Sequence, residues 1–205
     1  MKADDLGPIR PRLKEPTDEF RVRGGSPGAT LGDYWRWSSS SVLDNTERGI
    51  VAEFLVANAL GLTETPRVEW GSYDLETSSG TRIEIKSAAY LQSWRQKKRS
   101  TIQFGIARTK EAWDPATGES RTHSPPKRIA DIYVFCLLKH ENKATVDPLD
   151  TEQWEFYVVP TSVIDKEKPC SETIGLRPLK DLAGRPCSYN DLATAVTRVA
   201  ESVPP

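Results

Sequence analysis

The pattern of apolar and polar side chains changes several times along the chain, and each change marks an element. From Gly49 to Leu62 the residues are apolar nearly all round, which predicts a helix buried on more than one side. Asp44 supplies an N-cap, Glu47 three residues on makes a capping box, and Gly61 gives the stop. Further on, Ile83 and Ile85 alternate with Arg82, Glu84 and Lys86, the period of a strand with one apolar face. Residues 129–138 are apolar almost without a break, as expected of a central strand covered on both faces. Shorter strands are predicted at 66–70, 101–107 and 154–160, the last ended by Pro160. Near the C-terminus, Leu192, Val196, Val199 and Val203 form a helical stripe behind a Ser188–Asp191 capping box. This mixture of helices and strands predicts an α/β fold.

Two stretches carry little such pattern. Residues 1–29, with Pro8, Pro11, Pro16, Pro27, a Gly24-Gly25 pair and many charges, read as a flexible arm ahead of a single domain over 30–205. Residues 114–128 contain prolines, a glycine and His123, and read as a long loop of the kind that forms lids or binding sites.

The hairpin at 73–86 carries the most chemistry. Ser78, Ser79 and Gly80 make a three-residue turn, with Gly80 where a left-handed residue is needed. Thr77 then faces Thr81 and, counting back, Asp74 faces Glu84, their Cβ atoms about 5 Å apart. Glu84 and Lys86 share one face, roughly 7 Å apart along the strand. Like charges opposed in this way repel unless something is held between them. A divalent cation is the simplest candidate, since Mg²⁺ takes one or two carboxylates and keeps several waters. Glu53 is the only charge in the apolar helix and needs a cation or a hydrogen-bonding partner, because an unpaired buried carboxylate is costly.

Composition narrows the setting. A formal net charge of −1 excludes a global basic field, so contact with nucleic acid must come from local patches. One such patch follows the hairpin: Arg95, Lys97, Lys98 and Arg99 with no acid among them, and Trp94 beside them as a stacking surface. The aromatic stretch 31–37, with Tyr34, Trp35 and Trp37, reads either as a cover over the core or as a second stacking platform. The three cysteines lack metal-ligand spacing and Cys136 sits in the apolar run, which fits a reduced, cytoplasmic setting. Neither a leader-like apolar run at the start nor a stretch of membrane-spanning length is found, so no membrane association is expected. There is no Gly-x-Ser-x-Gly elbow, and the two histidines, His123 and His140, sit in weak contexts, which argues against a serine or cysteine hydrolase.

A helix with one charged Glu, then a hairpin bearing Asp and Glu-x-Lys, resembles the PD-(D/E)xK nuclease superfamily, in particular its resolvase-like and restriction-endonuclease-like branches. The Gly49-Ile-Val-Ala-Glu53 segment is similar to the Gly-x-x-Ala-Glu pattern of archaeal Holliday-junction resolvases, Asp74 to their second-strand Asp, and Glu84-Ile85-Lys86 to their third-strand motif. The likeness covers residues 44 to about 94; Tyr73 stands where that pattern has proline. It implies a restriction-endonuclease-like mixed central β-sheet flanked by helices. It also implies a DNA endonuclease of restriction, repair or recombination type that leaves a 5′-phosphate. The implied roles are Asp74, Glu84 and the Ile85 carbonyl on Mg²⁺ (Mn²⁺ substituting), Lys86 at the attacking water, and Glu53 completing the site through a water or a second metal. Trp94, Arg95, Lys97, Lys98 and Arg99 would contact DNA, and cutting both strands would call for a homodimer. The alternative is a binding module of the same fold, for DNA or a partner protein, with its acids idle.

Overall fold

The computed structural model describes Ile9 and residues 11–69, 71–114 and 117–203. In chain order the helices are α1 (Leu31–Ser39), α2 (Asn45–Ala59), α3 (Thr161–Glu167), α4 (Leu176–Ala183) and α5 (Leu192–Glu201). The strands are β1 (Leu75–Glu76), β2 (Arg82–Ala89), β3 (Gln103–Gly105), β4 (Thr109–Asp114), β5 (Glu119–Lys127), β6 (Ile132–Leu138), β7 (Trp154–Pro160) and β8 (Thr173–Gly175).

The apolar run in the sequence is the spine: every residue of β6 is buried. It lies inside a four-stranded sheet of order β1-β2-β6-β7, with β2 parallel to β6 and the other two pairings antiparallel. A parallel pair cannot be joined by a hairpin and needs a long crossover, here residues 90–131. Period-two alternation gives the sheet two apolar faces. Ile83, Ile85, Val134 and Cys136 pack under α2 and α5 through Leu55, Val56, Leu192 and Val196. Ala88, Tyr133, Phe135 and Val159 pack under Phe104, Ile164, Ile174 and Leu179 from β3, α3, β8 and α4. The result is a mixed sheet flanked by helices, an α/β fold. No helix among the described residues is long and apolar enough to cross a membrane.

Residues 11–29 lie on the surface but are shaped by backbone bonds: Phe20 N–H to Ala29 O at 3.1 Å, Leu31 N–H to Asp18 O at 2.8 Å. Residues 1–8 and Arg10 lie outside the described residues.

Several elements differ from expectation. The 114–128 loop is a two-stranded ribbon, β4 against β5, with Trp113 opposite Ser120 and Ala112 opposite Arg121. Its strands are exposed on both faces, so it carries no apolar alternation. Residues 66–69 are irregular rather than a strand, and Trp70 lies outside the described residues. That segment instead carries Arg67 to Glu53. Asp44 does cap α2, accepting from Thr46 N–H at 3.2 Å, but its own N–H bonds Ser41 O at 2.8 Å, so the box with Glu47 does not form. α5 begins at Leu192 because the Ser188 hydroxyl donates to Asp191 at 2.7 Å instead of capping a backbone N–H. α1 buries none of its residues, and Trp37 is 83% exposed, so this aromatic stretch is not a cover over the core. On α2, Phe54 is 56% exposed, which breaks the all-round burial its neighbours show.

The other end of α2 matches expectation: Gly61, at φ +67°, and Leu62 close it by N–H bonds to Asn58 O (3.2 Å) and Ala57 O (2.8 Å). Two buried arginines hold the outer pieces to the sheet. Arg48 on α2 reaches the Leu43 carbonyl, Asn45 and Gln92, and Gln92 with Gln96 closes the 90–100 loop on Ser100. Arg128 donates to the carbonyls of Ile106, Lys168 and Ser171 and pairs with Asp165. Removing it leaves three carbonyls without their donor, while Asp165 keeps Arg108 at 3.2 Å. Arg128→Ala should therefore cost about 3 kcal/mol, read from urea unfolding; a loss below about 1 kcal/mol would mean that water satisfies these groups equally well.

Candidate active site

The hairpin register is the one the turn demands. Leu75 lies opposite Ile83 and Glu76 opposite Arg82, Gly80 has φ +83°, and Asp74 N–H bonds Ile83 O at 3.0 Å. The ladder itself is only two residues long on the first arm. Beyond Leu75 the ladder is irregular, since the Asp74 N–H still meets Ile83 O, but Asp74 and Glu84 border one recess and feel each other's charge. The Asp74 carboxylate turns onto β2 and accepts from the Ile85 N–H at 2.6 Å. Arg82 anchors the hairpin to the start of β6 by a bidentate pair with Asp131, at 2.6 and 3.0 Å. Across the next pairing, Tyr133 stands beside Glu84.

Burial raises the Asp74 carboxyl to about 7, and the Glu84 charge opposite adds to the rise. The Ile85 N–H and the Lys86 ammonium pull the other way, and Glu53 contributes a smaller push upward. The Tyr133 phenol is also held up, by burial and then by Glu84. Lys86 forms an ion pair with Glu84 on their shared face. Glu53 is 17% exposed and is gripped through both oxygens by the Arg67 guanidinium, NH2 to Oε1 at 3.0 Å. Arg67, fourteen residues along an irregular segment, is the partner Glu53 needed.

The four expected residues meet in an arc rather than in one pocket. Glu84 and Lys86 lie on the sheet face turned away from α2, since Ile83 and Ile85 take the face beneath it. Glu53 arrives from the α2 side, around the short edge that β1 leaves. Asp74 stands between, lining a cleft of about 980 Å³ with Glu53 and Arg67 and a smaller recess of about 290 Å³ with Glu84 and Tyr133. Among the described residues no group of three or more His, Cys, Asp or Glu is placed to hold a metal ion. The donor set is therefore a pair of opposed carboxylates. Such a pair fits Mg²⁺, which keeps most of its waters, and does not fit a zinc centre of three or four protein ligands.

Trp94, Arg95, Lys97, Lys98 and Arg99 are exposed on the 90–100 loop beyond the end of β2. Arg99 pairs with Glu141 at 2.7 Å, and Lys143 Nζ donates to the Trp94 carbonyl at 2.5 Å. From Glu84 to Ala89 is already about 16 Å along the strand, and none of these five residues lines either recess. Besides Lys86, the cations around the acids are instead Arg67, Arg82, Arg121 and Lys127, which border the larger cleft. None of these four was singled out from sequence for the site.

An α/β sheet that opposes two carboxylates across a hairpin, with a lysine on the same face, defines a class of site suited to hydrolysis at a charged ester. The chain matches the family model of bacteriophage T4 endonuclease IV over residues 33–177, from α1 into α4, and it belongs to that family of endonucleases. The match spans Glu53, Asp74, Glu84 and Lys86 and leaves α5 outside. No curated protein compared with the chain matches it.

The raised Asp74 carboxyl has a consequence for stability. Folded Asp74 keeps its proton to about pH 7, whereas the ordinary carboxyl releases it near 3.8. The folded state binds more protons between these values, so stability falls as pH rises from about 4 to 7 and the deficit persists above. Asn cannot ionise, and its side-chain carbonyl can still accept from Ile85. In EDTA at pH 8, Asp74→Asn should be more stable than the parent by on the order of 1–4 kcal/mol, and the two should converge below pH 4. Urea unfolding at both pH values checks this; a variant less stable at pH 8 would make the hydrogen bond, and not the repulsion, the dominant role of Asp74.

Proposed function

We propose that the protein is a Mg²⁺-dependent DNA endonuclease of the PD-(D/E)xK type, with Asp74 and Glu84 as its metal-holding acids. The observation that carries this reading is the closeness of Asp74 and Glu84 at one recess, with Lys86 paired to Glu84, within a chain of an endonuclease family. The mixed sheet with Glu53 delivered from α2 supports the restriction-endonuclease-like fold. Mg²⁺ held by Asp74 and Glu84, helped by the Ile85 carbonyl, would supply Lewis-acid polarisation of a phosphate oxygen and a water of lowered pKa.

The protein groups then have separable tasks. As a ligand Asp74 would have to be ionised, and with its carboxyl raised to about 7 loading would be tighter above that pH than below. Lys86, which pairs with Glu84 in the resting protein, would orient the attacking water and offset the charge that grows on the phosphorus oxygens. Glu53 stays on the arc through its clamp by Arg67 and adds negative potential beside Asp74. The exposed cations Arg95, Lys97, Lys98 and Arg99 reach phosphates farther along the substrate and position it without taking part in the chemistry. Cutting both strands requires two such sites, and hence a homodimer.

Cleavage of plasmid, single-stranded and branched DNA in Mg²⁺, with Mn²⁺ and EDTA as comparisons, tests the proposal. Turnover is expected in either metal and none in EDTA. Lys86→Ala should lose about 100-fold or more in cleavage while keeping its DNA affinity in Ca²⁺. The Lys97→Ala/Lys98→Ala pair should do the reverse, cleaving at saturating DNA but flattening the slope of log affinity against log salt by up to about 1.8. DNA binding with no cleavage in either metal would make the protein a binding module; cleavage by Lys86→Ala at the parent rate would remove Lys86 from the mechanism.

A further inference from the structure

The 980 Å³ cleft is at the upper end of what a small ligand needs. Its walls come from α2, the irregular residues 61–68 and 71–74, the hairpin and the β4–β5 ribbon. Two large aromatic side chains line it and stay in contact with solvent: Phe54 on α2, 56% exposed, and Trp113 on the ribbon, 37% exposed. A helix so apolar has no folding reason to leave a phenylalanine outside its core. The ribbon is tied to residues 71–74 by the Ser72 hydroxyl, which donates to the Trp113 carbonyl at 2.8 Å and holds that tryptophan at the cleft.

The same wall holds an unanswered polar atom. His123 Nε2 is the only buried side-chain nitrogen or oxygen without a hydrogen-bond partner among the described residues. Buried polar groups are nearly always satisfied, so an orphan needs an explanation. Arg121 and Lys127, on the same strand, border the cleft with Arg67 and supply positive charge within reach of a phosphate chain that also meets Asp74. Aromatic surface, an unsatisfied imidazole nitrogen and flanking cations together match the chemistry of a nucleotide: a flat π-face, an edge of donors and acceptors, and phosphates on either side.

We propose that this cleft is a nucleobase subsite, in which one base of the substrate strand, turned out of its stack beside the scissile phosphate, packs on Trp113 and Phe54. The imidazole of His123 turns as the base seats and hydrogen-bonds its edge, so His123 sets which base is preferred there. The inference rests on the endonuclease reading and adds to it a place where the enzyme reads one nucleotide. Trp113 and Phe54 act on binding, and His123 on base choice; none is placed in the bond-breaking step.

The test is an abasic scan. Oligonucleotides containing the cut position, each with one base removed in turn, are titrated in Ca²⁺ and then cleaved in Mg²⁺. The parent should lose about tenfold in affinity at one or two adjacent positions and be indifferent elsewhere. Trp113→Ala should lose a similar factor on intact DNA and nothing further at those positions, because its partner is already gone, and Trp113→Phe should restore most of the loss. His123→Ala should flatten base preference at that position with little change in affinity for the abasic oligonucleotide. A flat scan with cleavage intact overturns the subsite alone, as does a Trp113→Ala loss that adds to the abasic loss. Absence of both binding and cleavage in the parent overturns the endonuclease reading, and the subsite with it.

Discussion

Two carboxylates held face to face at the edge of a sheet repel each other, and much of the surrounding structure follows from keeping them there. Asp74 and Glu84 are brought together because the turn at 78–80 fixes the hairpin register, Asp74 accepts from the Ile85 N–H and Arg82 pins the hairpin to Asp131. The cost of that opposition is visible in the protein itself: Asp74 is pushed up to about 7 by burial and by its neighbour's charge. Every acid on the arc is answered by a hydrogen bond or a cation. Ile85 N–H binds Asp74, Lys86 binds Glu84, and Arg67 binds Glu53. These pairings make the folded state tolerable despite the crowding of like charges.

The sheet explains why the acids form an arc. A strand shows successive side chains to opposite faces, so β2 cannot both bury Ile83 and Ile85 under α2 and point Glu84 toward α2. Glu53 can approach only around the edge, and a first arm of two residues leaves that edge open. The ribbon formed by β4 and β5, with the irregular residues 61–68 and 71–74, then borders the space outside the edge. The 980 Å³ cleft is thus lined by Asp74 together with aromatic and basic side chains.

What could be read from the sequence was what local rules dictate. The hairpin register followed from one glycine and a period of two, the burial of 132–138 from an unbroken apolar run, and the end of α2 from Gly61. The α/β class followed from the order of these elements. What could not be read depended on partners distant in the chain or on strands without an apolar face. Residues 119–127 are exposed on nearly every side chain, so the ribbon resembles a loop in any hydrophobic pattern. Arg67 could be recognised only once Glu53 was located in space. Arg48 and Arg128 look like ordinary surface charges until their buried carbonyl and carboxylate partners, 3 to 44 residues away, are known. In the Ser188–Asp191 segment the local rule failed because two side chains bonded each other rather than the backbone.

The central claim is that Asp74 and Glu84 together hold a divalent cation, and proton release on metal binding tests it most directly. Calorimetric titration of the DNA-free protein with Mg²⁺ at pH 6.5, in buffers of different ionisation enthalpy, counts the protons displaced. With Asp74 raised to about 7, most of one proton should leave per cation bound, and Asp74→Asn should bind weakly with none released. Tight binding of Mg²⁺ with no proton released, or binding unchanged in Asp74→Asn, would place the metal elsewhere and contradict the account.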